Sequence, residues 1–221
     1  LERSLVGSEM CIRDRSEGLT DEGRAIVREM NRLGVLVDLS HAGVRSFFDT
    51  LDVSDRPAMA SHSGCHALHA HPRNLTDDQL RVLGAAGGVV GIPFHPGFLD
   101  EAARAEEMRV RKTSAYRDAD GENPTATWLE CSNVMRRDAA PLGLDRLVDH
   151  VVHAAELIGV EHVGLGSDFD GIERGPEKLE DASGYRNLIE LLLTRGFSKD
   201  DVRAICGGNM RRVFARATGE G

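Results

Sequence analysis

Between Val35 and Asn74 the chain makes the same move twice: a short apolar run gives way to polar residues and a histidine. VLVDLSH ends on His41, and PAMASHS delivers His62, with HALHAHPRN following. Val35-Leu36-Val37 and Ala58-Met59-Ala60 are continuous rather than alternating, as expected of strands buried on both faces. A residue at the carboxyl end of such a strand leaves the packed interior and points into the mouth of an α/β barrel. Imidazole is the commonest metal ligand, and a rigid strand end fixes its direction. One strand-end histidine is readily a hydrogen-bonding cap. The repeated arrangement predicts instead that His41 and His62 share one metal.

Two further apolar runs follow. Gly87–Ile92 reads as a third buried strand, with glycines where backbones approach closely. HVGLGSDFDG, starting at His162, reads as a strand that delivers Asp168 at its tip, where a carboxylate facing two histidines can take a proton from water. Its spacing does not match a calcium loop, and Gly164-x-Gly166 is too short for a dinucleotide fingerprint. Arg73, just past the second histidine, could hold a substrate carboxylate bidentately or be a surface residue. His69-Ala70-His71 follows no apolar strand and reads as a solvated loop. His95 lies among prolines and reads as loop, while His150 and His153 fall within a helix, packed or solvated.

Helices alternate with these strands. Thr20-Asp21-Glu22 caps one that Gly34 ends, and short helices follow around Val44–Leu51 and from Thr76 to Leu83. Leu144–Ile158 is strongly amphipathic, and the tail carries helices from Ser183 and from Ser198, the latter broken at Gly207-Gly208-Asn209. Glu101–Pro141 is the least regular stretch, with Trp128 and a turn at residues 118–121, and reads as a lid, a binding loop or a solvated excursion. Strand–helix alternation with polar strand ends implies an α/β barrel. About four such units occur where a complete barrel has eight, so the fold expected is the C-terminal part of a TIM-type (β/α)8 barrel.

Composition narrows the partners. A net charge of −9 argues against nucleic acid, and no apolar run is long enough to span a membrane. Cys11, Cys65, Cys131 and Cys206 are scattered without a C-x-x-C pair, which fits a reducing compartment and makes the cytoplasm the default location. Residues 1–15 (LERSLVGSEMCIRDR) resemble translated sequencing-adapter read-through and are expected to be a non-native leader, with residues 16–221 a partial barrel domain.

GVLVDLSH, PAMASHS with the later HPRN, HVGLGSDFDG and the closing GGNMRRV, in that order, resemble the membrane (renal) dipeptidase family of zinc peptidases, including its bacterial members. The similarity runs from about Thr20 to Val213. It implies a metal-dependent hydrolase barrel of the amidohydrolase-like kind that holds two zinc ions and hydrolyses dipeptides, with a homodimer as the assembly to test for. By position, His41 and His62 match the two histidines of one zinc, Arg73 the substrate-binding arginine and Asp168 the catalytic aspartate. The resemblance also calls for an upstream His-x-Asp pair, a bridging glutamate and a substrate-binding histidine. No strand-borne H-x-D occurs here, so impaired activity of this chain by itself is expected. The competing expectations are a barrel hydrolase for a phosphoester, lactone or cyclic amide, and an inert, metal-free fragment.

Overall fold

The computed structural model describes residues 18–119 and 124–219. The proposed leader lies outside them, as do residues 120–121 of the expected turn.

Helix α1 (Asp21–Leu33) starts where the Thr20 hydroxyl accepts from the Gly23 N–H, and it stops at Gly34, whose φ of 70° suits a residue without a Cβ. After it the run at 37–39 is extended and bonds parallel to Met59 through Leu39 N–H and Val37 C=O, but only as a single bridge at Asp38. The strand expected at 35–39 is thus reduced to one bridging residue. Val35 is exposed at its start, and the left-handed turn at His41 closes the ladder at its end.

Helix α2 (Val44–Val53) leads to β1 (Met59–Ala60), α3 (Asp77–Ala85) to β2 (Val89–Pro93), and α8 (Leu144–Ile158) to β3 (Val163–Gly166). The three strands lie side by side in chain order and all run parallel, with Ala60 beside Val90 and Val90 beside Val163. A parallel neighbour needs a helical crossover, which is why helices and strands alternate. Every residue of β2 is buried, and α3, α8 and α11 (Asn209–Thr218) pack against it, which accounts for its unbroken apolar run. Phe47, Leu80, Leu83, Ile92, Leu147, Leu188 and Leu192 belong to one core under this arc.

The region from 101 to 141 is not irregular. It forms α5 (Glu101–Arg111), α6 (Ser114–Ala119) and α7 (Pro124–Asp138), after the single turn α4 (Pro96–Leu99). Val110, Tyr116, Cys131, Val134 and Met135 give these helices a small core of their own. The tail holds α9 (Tyr185–Thr194) and α10 (Lys199–Arg203), the latter opened by a full capping box between Ser198 and Asp201. A wide turn at 204–208, with Gly207 at φ 156°, separates α10 from α11. No helix among the described residues is long and apolar enough to cross a membrane.

Candidate metal centre

The parallel arc puts every carboxyl strand end on one rim. His41 stands two residues beyond Leu39, His62 two beyond Ala60, His95 two beyond Pro93 and Asp168 two beyond Gly166. Two of these, His41 at φ 70° and Asp168 at φ 54°, occupy the left-handed region that side chains disfavour. Such strain persists only where the surroundings enforce it, and it collects at functional positions.

The close packing of strand ends depends on glycine. A Cβ at Gly91 would sit 2.1 Å from the Ser61 carbonyl oxygen and one at Gly166 1.9 Å from the same atom. The backbone just before His62 therefore rests on two residues that must be glycine.

His41 Nε2 and His62 Nε2 converge to 2.9 Å. The His62 Nδ1 lies 2.7 Å from the Ser61 hydroxyl, a partner that fixes the ring's orientation. Its backbone N–H donates to the Ser40 hydroxyl at 2.9 Å, and the Asp38 carboxylate accepts from the N–H groups of both Ser40 and Ser61. Asp38 thereby ties the two histidine-bearing turns together. Burial pushes the His62 imidazole below its ordinary pKa; the charge of Asp168 opposes this, Arg73 reinforces it and Asp38 opposes it. The outcome is a neutral ring, the form in which imidazole binds a metal.

Arg73 reaches back to this pair, its guanidinium 2.9 Å from His62 Nε2 and lying 5.1 Å over the Phe98 ring. Its loop is pinned from two sides. The buried Asn74 accepts from Gly64 N–H and donates to the carbonyls of His69 and Phe98. Fully buried His150 accepts from the Cys65 N–H at 2.9 Å and, through Nε2, meets the Leu99 carbonyl at 2.9 Å. Phe98 and His150 carry no motif of their own, and Asp38 and Asn74 lie within VDLSH and HPRN without showing there which contacts they make. His150 is the packed helical histidine the sequence allowed, while His153 pairs with Asp77 at 2.9 Å. His69 and His71 lie in a loop as expected but are half-buried rather than solvated, and burial pulls the His71 ring down to about 4; His95 contacts Glu107.

Among the described residues no group of three or more His, Cys, Asp or Glu is placed to hold a metal. The donor set that is present fits two ligands of one ion: two imidazole nitrogens already within 3 Å of one another on neighbouring strand ends, that of His41 in a left-handed backbone. Catalytic zinc sites use three protein ligands, so the fit is partial.

Residues 4–219 match the family model described as membrane dipeptidase (peptidase family M19). The chain belongs to this family. Among its curated relatives, dipeptidase aclJ of Aspergillus oryzae is 39% identical over 200 residues, covering 90% of this chain and 39% of its own length. A metallo peptidase from Rhodobacter sphaeroides, solved with a phosphinate mimic of the dipeptide L-Ala-D-Ala, is 31% identical with a TM-score of 0.72, over 93% of this chain and 49% of that one. The metallo peptidase named dipeptidase AC, also of family M19, is 32% identical with a TM-score of 0.73, over 94% and 51%. The chain spans about two fifths of the curated relatives and half of these solved structures. With these relatives, the parallel arc is part of a TIM-type barrel of the metal-dependent hydrolase kind.

Proposed function

We propose that this chain carries the His–His half of a zinc centre, together with the carboxylate anchor and proton carrier of a metallodipeptidase. The observation that bears most weight is the convergence of His41 Nε2, His62 Nε2 and the Arg73 guanidinium within 3 Å contacts on one rim. In this reading His41 and His62 hold one zinc, whose remaining ligands come from outside the described residues. A bound metal of this kind supplies Lewis acidity, lowering the pKa of water from about 15.7 toward 7 and polarising a carbonyl.

The chain's own residues do the rest. Arg73, with its planar fork stacked on Phe98, grips the terminal carboxylate of a short peptide bidentately, which excludes substrates extended beyond that carboxyl terminus. Asp168, held at a strand tip, accepts a proton from the attacking water and returns it to the leaving amine. Ser61 and Asp38 keep His62 aimed. The phosphinate dipeptide mimic in the Rhodobacter relative supports a dipeptide substrate over a phosphoester or lactone.

The test is a zinc-supplemented panel of dipeptides, phosphoesters and lactones. Hydrolysis of dipeptides alone, lost in Asp168→Asn, is the expected result. Turnover of a phosphoester or lactone in preference to any dipeptide would overturn the reading.

A further inference from the structure

Arg73 has a second neighbourhood. A cavity of about 350 Å³ opens between Arg73 with Phe98 and the helix α5, from which Arg104, Glu107, Met108 and Arg111 contribute. These four stand at i, i+3, i+4 and i+7, one face of a helix. The volume lies in the range of small-ligand sites.

The charges in this wall are unevenly committed. Glu107 is buried, and its oxygens contact Arg104 at 3.2 Å, Arg111 at 2.9 Å and His95 at 3.3 Å. Burial pushes its carboxyl up, but His95, Arg111 and Arg104 outweigh that and hold it down at about 2. Glu107 is thus a spent anion. Arg111 is also spent, bonding Glu107, the Tyr116 hydroxyl and Glu173 through its three nitrogens. Arg104 is not. Among the described residues its ion pair is with Glu107 through one nitrogen, and its side chain stays 37% exposed. His71 adds a donor: its Nδ1 accepts the Arg73 N–H, which leaves the proton of the neutral ring on Nε2.

We propose that this cavity receives the side chain of the substrate's carboxyl-terminal residue and favours one that bears a carboxylate, with Arg104 as its partner. The inference rests on Arg73 holding the terminal carboxylate: the Cα is then one bond from that carboxylate, and its side chain is within reach of the cavity that Arg73 shares with the α5 wall. A cationic side chain would meet three guanidiniums. An apolar one would contact Phe98 and Met108 but bury Arg104 donors without an acceptor. A carboxylate satisfies those donors with charge-assisted bonds, the stronger kind.

The experiment is an equilibrium titration of the chain with Gly-Asp and Gly-Asn, near-isosteric peptides differing in charge, each with L and D carboxyl-terminal residues. Binding is the readout, so turnover is not required. The expected result is Gly-Asp bound about tenfold tighter in at least one configuration, a ratio that falls to about twofold in Arg104→Gln and survives in part in Arg104→Lys. Thermal melting of each variant verifies that it folds. Equal affinity for the two peptides, or a preference that persists in a folded Arg104→Gln, overturns the assignment while leaving the dipeptide reading intact. Failure of both peptides to bind, in either configuration, overturns the dipeptide reading and this assignment with it.

Discussion

His41 and His150 are both histidines with fixed surroundings, and the physics predicts opposite responses to change. His41 pays for its position with a left-handed backbone, which for a residue with a Cβ costs about 1–2 kcal/mol. His41→Gly should therefore melt at or above the wild-type temperature, by up to about 1 kcal/mol in stability, while losing metal binding. A melting curve and a zinc titration on the same sample check this, and marked destabilisation would contradict it. His150 is different because it is wholly buried and neutral. Burial first, and Arg146 with it, pull its pKa down to about 4 against the bond to the Leu99 carbonyl. The unfolded ring titrates near 6.5, so between about 6.5 and 4 the unfolded chain binds the extra proton and the folded one does not. Stability should fall as pH drops through that window, by on the order of 3 kcal/mol from this ring. His150→Gln, which cannot titrate, should flatten that part of the pH–stability curve measured by denaturant unfolding. An unchanged slope would contradict the assignment.

At the scale of elements, the strand ends converge only because Gly91 and Gly166 let the Ser61 carbonyl lie against them. Gly166→Ala places a Cβ about 1.9 Å from that oxygen, and backbone must move. We expect a loss of about 1–3 kcal/mol, as for overpacking elsewhere, together with weaker zinc uptake because Ser61 orients His62. Unaltered melting and metal affinity would show that the contact is not needed. What was legible in the sequence follows the same logic. Buried parallel strands are continuous apolar runs, so β2, β3 and their polar ends could be placed before any coordinates. The helices between 101 and 141 were obscure because their faces are charged, with Arg109 on Glu106 and Arg111 on Glu107, and their apolar residues meet one another rather than the main core. The run at 35–39 has the apolar content of a full strand, whereas exposure at Val35 and the turn at His41 leave it one bridge.

For the molecule as a whole, the arc of parallel strands explains why residues so far apart in sequence meet on one rim. His41 and His62 were visible as candidates because each ends an apolar run, and Asp168 for the same reason. Phe98 and the role of His150 were not, since their part depends on contacts such as His150 with Cys65, 85 positions away. The structure adds the reach of Arg73 to His62 and the α5 wall beyond it. The measurement that tests this account most directly is zinc stoichiometry of the folded chain by competition with a chromophoric chelator. Uptake of about one weakly held ion by the wild type is expected with zinc in excess, since two converged imidazoles supply two of the three protein ligands a catalytic site uses, and this uptake should be lost in both His41→Ala and His62→Ala with melting behaviour kept. Zinc uptake by a folded His41→Ala/His62→Ala double variant equal to that of the wild type would contradict it.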